Sequence, residues 1–281
     1  MNELIPKIPL AAWIDQFIHW LTNQFSGLFD WISKILIWMI EGLVTGLGFV
    51  PAFLFALILG LLAWWLTKPS IAIFTFVGFL FIDYLGYWTP MLDTLALVIV
   101  SVFITVIVGI PIGILASQSD SIRKVVIPLL DFMQTMPAFV YLLPAIFFFN
   151  IGFVPGVVAS VIFAMPPTIR LTILGIQQVP KDLIEATDAF GSTNAQRLFK
   201  VQLPLAMPTM MAGINQTIML SLSMVVIASM VGAPGLGVEI YRAVTQLKIG
   251  IGFEAGLAIV IVAIVLDRMT QNLGKKNGGT I

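Results

Sequence analysis

Long apolar runs organise the chain, and the way polar residues interrupt them changes along its length. Lipid offers no partner for a backbone amide, so a membrane-crossing segment is expected to be a helix of about 20 apolar residues. Seven segments are read as spans: residues 44–66, 71–88, 95–117, 125–149, 154–173, 207–231 and the shorter 253–267. Residues 11–43 follow another rule. Asp15, His19, Asn23, Ser26, Asp30, Lys34 and Glu41 return every three or four positions apart from a gap at Ile37, while Trp13, Phe17, Trp20, Leu21, Leu28, Trp31, Ile32 and Ile35 fill the opposite side. That pattern predicts an amphipathic helix lying in the membrane interface, where indole rings are favoured. His19 sits on its wet face and is read as an ordinary solvated side chain, with pH sensing as the alternative.

Composition agrees with an all-α integral membrane protein. Hydrophobic residues make up 59% of the 281 and charged ones 10%, with mean hydropathy +1.04, against roughly 25% charged in an average soluble domain. The 14 basic and 14 acidic residues cancel, so charge argues for no nucleic-acid partner. The absence of cysteine excludes disulfides, thiolate nucleophiles and cysteine metal sites. The opening "MNELIPK" lacks the basic region and apolar core of a cleaved signal and is expected to begin the mature chain. If the segment between the fifth and sixth spans is cytoplasmic, that side collects Lys68, Arg123, Lys124, Arg170, Lys181, Arg197, Lys200, Arg268, Lys275 and Lys276, leaving Lys7, Lys34, Arg242 and Lys248 outside. This bias predicts an N-terminus outside and a C-terminus inside.

The cytoplasmic segment "DLIEATDAFGSTNAQRLFKVQLPLAMP" (182–208) is unusually charged for this chain. Pro180 suits the start of a helix in which Leu183, Ala186, Thr187 and Phe190 share one face, opposite Lys181, Asp182, Glu185 and Asp188. Gly191 is expected to stop it in the left-handed conformation. Ser192 is expected to cap a second helix over 193–202, ended by Pro204. Helix, tight turn and helix make a docking knob with small residues at its contact face.

At this point the residues resemble a known family. Glu185, Ala186, Thr187, Gly191, Val201, Leu203 and Pro204 fall on the EAA motif of ABC-importer permeases, E-A-A-x3-G-x9-I-x-L-P, with Thr187 in place of alanine and Val201 in place of isoleucine. "LLDFMQTMPAFVYLLPAIFFFNIG" (129–152) and "AGINQTIMLSLSMVVIASMVGAPGLG" (212–237) are similar to the permeases of glycine betaine and proline betaine osmoprotectant importers of the OpuA and ProU type, a likeness running from about residue 50 onward. The resemblance implies a type I (MetI-like) permease core over 95–268, behind an extracellular segment (1–43) and two peripheral helices (44–88), with a cytoplasmic tail at 269–281. It also implies residence in the bacterial cytoplasmic membrane, uptake of quaternary-ammonium osmolytes, an external binding protein, and ATP with Mg held in a separate ATPase whose groove receives the loop at 180–204. The chain has no G-x-x-x-x-G-K-[ST] phosphate loop; "LGKKNGG" lacks the first glycine and the preceding strand. A symmetric ATPase pair needs two knobs and one chain supplies one, so two copies are expected to form the pore, each bound to one of two ATP-binding subunits.

For the path, Asp131, Gln134, Thr135 and Tyr141 share a side of the fourth span, interrupted by Pro128, Pro137 and Pro144. Asn215, Gln216, Thr217, Ser221 and Ser223 punctuate the sixth. Polar groups in a span face protein or water, so these are candidate lining, with interhelical packing as the other reading. Tyr84, Tyr87 and Trp88 suggest an aromatic belt before a cation cage, and "GAPGLG" (232–237) predicts a bend or broken helix near the outer surface. No metal site or catalytic residue is read in the chain. With one histidine, metalloprotease and serine-hydrolase patterns are missing, and Asp83 and Asp131 fall at opposite depths for an aspartyl pair. The remaining alternatives are an ABC permease for another small solute such as an amino acid, and an ion-coupled secondary transporter, for which no clear inverted repeat is found.

Overall fold

A computed structural model describes residues 9–277, with side-chain environments through Asn272. Lys7, the other residues of 1–8, residues 278–281 and the side chains of Lys275 and Lys276 lie outside the described residues. Within them every regular element is a helix. Four helices are long and apolar enough to cross a membrane, or up to six spans if each of two bent pairs counts as one.

Prolines and glycines decide where the apolar runs break. The helix expected over 11–43 is divided at Phe25 into α1 (Leu10–Gln24), which buries nothing, and α2 (Ser26–Gly48), which buries Leu36 and Ile40. Pro51 lacks an amide hydrogen and disfavours helix in the residue before it. The span expected over 44–66 therefore begins as the end of α2, turns through 100° and continues as α3 (Ala52–Leu66). The segment expected to span at 71–88 forms α4 (Pro69–Tyr84), which at 16 residues is shorter than the helices long enough to cross, so Tyr87 and Trp88 belong to the following turn and to α5 (Trp88–Gln118), and Tyr87 is buried. The span expected over 125–149 is broken by 97° at Met136–Pro137 into α6 (Asp120–Thr135) and α7 (Ala138–Phe149). By contrast Pro111, Pro166, Pro167 and Pro208 lie inside continuous helices.

The centre is formed by α8 (Phe153–Gln177) packed between α5 and α11 (Leu203–Ser229). Without a hydrophobic drive between helices in lipid, such packing depends on small residues that let backbones approach. On α11, Ala206, Gly213, Thr217, Ser221 and Ala228 are buried, one or two helical turns apart. A Cβ added at Gly113 of α5 would lie 2.6 Å from Thr172 Cβ and 3.1 Å from the Ile169 carbonyl oxygen, and one at Gly213 would lie 3.1 Å from that of Pro167. Thr168 and Thr217 hydroxyls meet at 2.7 Å across the same seam, and Thr217 donates to the Ala164 carbonyl at 2.9 Å.

After α11 the "GAPGLG" stretch does turn the chain, with positive φ at Gly232 and Gly235. It leads into α12 (Leu236–Thr245), a ten-residue helix between the sixth and seventh expected spans. Leu236 N–H donates to Thr94 Oγ1 at 2.8 Å, which pins α12 to α5. The last helix, α13 (Ile249–Asn277), is much longer than the 253–267 expected. Outward surfaces of α3, α4 and α13 expose Phe53, Leu61, Ile73, Val77, Leu257 and Val260, the pattern of a lipid-facing wall. The helix pair α1–α2 is held to α7 by ring contacts, Phe29 stacking on Phe148 at 4.5 Å and His19 meeting Phe147 edge-on at 5.6 Å.

The tight seam gives opposite signs for two glycine substitutions. Gly113→Ala is expected to lower stability by about 1–3 kcal/mol through overpacking. Gly46→Ala on α2, where nothing lies within 4 Å, is expected to be neutral or to gain up to about 1 kcal/mol in helix propensity. Thermal unfolding of the two variants in one detergent reads the difference.

Candidate functional site

The loop between α8 and α11 is built by local rules. Asp182 lies in the first turn of α9 (Lys181–Ala189), where the helix dipole favours an acid. At the other end Gly191, at φ +74°, donates to the Asp188 carbonyl at 3.0 Å, and Ser192 N–H donates to that of Thr187 at 3.1 Å. This pair of bonds is the Schellman stop, for which glycine suits the left-handed position. The cap of the next helix is Thr193 rather than Ser192: Thr193 Oγ1 accepts from Gln196 N–H at 3.3 Å while Gln196 Oε1 accepts from Thr193 N–H at 2.9 Å. The T-x-x-Q spacing is the sequence signal for that box. Arg197 grips both carboxylate oxygens of Asp188 at 3.0 and 3.1 Å and locks the two helices together.

Pro204 does not end the second helix. α10 (Asn194–Arg197) widens into a π turn at Leu198–Gln202, marked by a bond from Leu203 N–H to the Leu198 carbonyl, and runs straight on into α11. The wider turn accommodates a residue that can neither donate nor tolerate the carbonyl four places back. Leu198 and Leu203 anchor the knob on a cluster of Ile176, Ala206 and Met210, and Gln118 at the end of α5 donates to Gln202 Oε1 at 3.2 Å.

Of the expected contact residues, Glu185, Ala186 and Gly191 are exposed. Thr187 is half-buried, and its hydroxyl donates to the Ile184 carbonyl at 2.7 Å, so its extra oxygen is satisfied within α9. Val201 and Leu203 are half-buried and Pro204 is exposed. The inner face of α9 is Ile184 with Thr187, whereas Leu183, expected on a common face with Thr187, is exposed. Two residues outside the motif stand out: Phe190 is 90% and Phe199 66% exposed. Large bare rings beside exposed acids are the kind of surface that marks a candidate contact site.

The candidate path residues separate into groups. Asp131 of α6 is paired with Arg170 of α8, and Thr135 Oγ1 donates back to the Asp131 carbonyl at 3.0 Å. Tyr141 is buried, with its hydroxyl donating at 3.3 Å to the Met136 carbonyl freed at the α6–α7 break. On α11, Asn215 donates to Asp267 at 2.6 Å and accepts from Thr270 at 2.9 Å, both on α13. Thr217 faces α8 as described, and Ser221 is buried without a partner among the described residues. Gln134, Gln216 and Ser223 are exposed, and Ser223 opens on a groove of about 230 Å³ shared with α12 and α13. Tyr87 donates to Glu254 at 3.4 Å, so it ties α13 to the start of α5 rather than standing in an open belt.

Comparison with known proteins agrees with this architecture. Residues 109–278 match the family of binding-protein-dependent transport system inner membrane components. The chain is 69% identical over 274 residues to the glycine betaine transport system permease protein OpuAB of Bacillus subtilis, covering 98% of this chain and 97% of that one. It is 54% identical over 276 residues to the glycine betaine/carnitine transport permease protein GbuB of Listeria monocytogenes, covering 97% and 98%. In three dimensions it is similar to a chain of the inward-facing MetNI methionine ABC transporter, with TM-score 0.55 and 25% identity over 66% of this chain and 90% of that one.

The paired threonines allow the strength of the seam to be measured. A double-mutant cycle on Thr168→Val and Thr217→Val, read by thermal unfolding, is expected to give a coupling of about 0.5–1.5 kcal/mol, the range of hydrogen bonds between membrane helices.

Proposed function

The chain belongs to the family of binding-protein-dependent transport system inner membrane components, and from that premise we propose that it is the permease of an ATP-driven importer of glycine betaine and related quaternary-ammonium solutes. It is a multi-pass membrane protein with a MetI-like permease fold. The observation that carries the substrate is identity to a glycine betaine permease at 69% along nearly the whole length of both chains. An amino-acid substrate, the alternative, has a structural neighbour in its favour at 25% identity.

The coupling device in this reading is the α9–α10 hairpin. It docks on a separate ATP-binding subunit, with Glu185, Ala186, Gly191 and the bare ring of Phe190 at the contact, Thr187 behind them, and Val201, Leu203 and Pro204 transmitting the movement into α11. The π turn supports that role, because a helix continuous from Asn194 to Ser229 carries displacement of the knob rigidly into the membrane. Two copies of the chain enclose the path, two ATPases hold ATP with Mg beneath it, and a binding protein delivers solute from outside. The hairpin lies in the cytoplasm, the N-terminal side outside, and α1 along the outer interface. Of the polar residues in the spans, Gln134, Thr135, Gln216 and Ser223 are available to a path between copies, while Asn215 and Thr217 hold helices together and the Asp131–Arg170 pair with Tyr141 stabilises the break in α6–α7.

Uptake of labelled glycine betaine tests both halves of the proposal, in cells without other osmolyte importers that express the chain with its ATPase and binding protein. Gly191→Val places a β-branched residue in the left-handed region, a strain of about 1–2 kcal/mol, and is expected to reduce uptake and ATPase co-purification by about 5–30-fold. Gly191→Asn, which tolerates that conformation, is expected to stay near wild type. Absence of betaine uptake by an assembled wild-type complex would overturn the substrate. Normal uptake by Gly191→Val would overturn the role of the turn.

A further inference from the structure

Between the α3–α4 turn and the last turns of α13 lies a cleft of about 690 Å³ that coupling does not use. Its polar side is made by Lys68, Ser70, Arg268, Gln271 and Asn272, and its apolar side by Ile71, Phe74 and Ile264. Among the described residues no acidic side chain lines it. Lys68 is exposed and forms no ion pair among the described residues. Arg268 Nε lies 3.7 Å from Asp267, whose Oδ1 already accepts from Asn215 at 2.6 Å and Gln271 at 2.7 Å. The Arg268 side chain is 53% exposed, and no contact among the described residues engages its terminal nitrogens. Lys68 also precedes the first turn of α4, whose helix dipole is positive at that end.

Two cations with hydroxyl and amide donors suit a phosphate ester. The surroundings decide its source. Trp64 and Trp65, 60% and 70% exposed on the last turn of α3, mark the depth at which indoles meet lipid headgroups. From that level exposed Ile73 and Val77 of α4 and Val260 and Leu257 of α13 run into the lipid-facing wall, where acyl chains lie. A soluble anion would use the polar side alone and leave the apolar side wet, whereas a phospholipid fits both, as basic pockets between membrane helices do. We propose that this cleft is a binding site for the headgroup of an anionic phospholipid, which wedges α4 against α13 at the end of the molecule that carries the coupling hairpin.

The test uses the assembled complex of permease and ATPase, with phosphatidylglycerol and phosphatidylcholine as probes and native mass spectrometry counting bound lipid. Each surface cation contributes about 1 kcal/mol to holding an anionic lipid, so Lys68→Ser and Arg268→Gln are each expected to weaken phosphatidylglycerol binding about fivefold and together about 25-fold. Lys68→Arg should retain it. Lys124→Ser, a lysine on the amphipathic α6 away from the cleft, should leave it unchanged, and phosphatidylcholine should respond to none of them. Wild-type phosphatidylglycerol binding by the double variant would overturn the site. Displacement of lipid by millimolar inorganic phosphate would make it a soluble-anion site, and loss of the ATPase with lipid retained would make it a protein contact; either result also overturns the proposal.

Discussion

The close approach of α8 to α5 and α11 is the constraint on which the other features rest. In lipid there is little to gain from exchanging one apolar neighbour for another, so the seam is held by contact between backbones and by hydrogen bonds across it. Gly113, Gly213 and Thr217 permit that contact, and the Thr168–Thr217 pair spends its hydroxyls there. Because α8 and α11 are the two helices that flank the α9–α10 hairpin, the seam also sets where the hairpin emerges. The knob is thus placed by the most closely packed part of the membrane core, although few of its own residues are buried.

Rigidity within the knob has a different origin. It lies outside the apolar core and is held by a left-handed glycine, a capping box and one ion pair between its helices, in which Arg197 Nη1 meets both Asp188 oxygens. Exposed ion pairs contribute about 0–1 kcal/mol in general, so the Arg197–Asp188 pair is better regarded as fixing the angle of the hairpin than as stabilising the fold. In the docking proposed for this hairpin, presenting the bare rings of Phe190 and Phe199 on a locally bonded turn would lower the ordering cost.

Much of this was legible in residue order. The helix–turn–helix, its glycine stop and the motif spacing could be read directly because they depend on neighbours close in sequence. Thr193 as cap was legible in its box with Gln196, but Ser192 is an equally good capping type one position earlier. Pro204 misled for a physical reason: a proline ends a helix only if the turn before it cannot widen, and the π turn at Leu198–Gln202 exists through packing of Leu198 and Leu203 on α8 and α11. The same applies to the bends. Pro51 and Pro137 break their helices while Pro111 and Pro208 do not, a choice made by tertiary contacts. Polar residues in spans were ambiguous from sequence because a threonine facing a helix and one facing water have the same neighbours in the chain; Asn215 and Thr217 proved to bond helices, whereas Ser223 stayed exposed.

The central claim is that the hairpin is the surface that meets the ATPase. The chain contains no cysteine, so single cysteines can be placed without background. Phe190→Cys and, as control on the lipid-facing wall, Phe53→Cys would carry a short photo-crosslinker in the reconstituted complex. The account predicts a permease–ATPase adduct from position 190, increased or decreased by ATP, and none from position 53. An intact, transporting complex that gives no adduct from position 190 would contradict it.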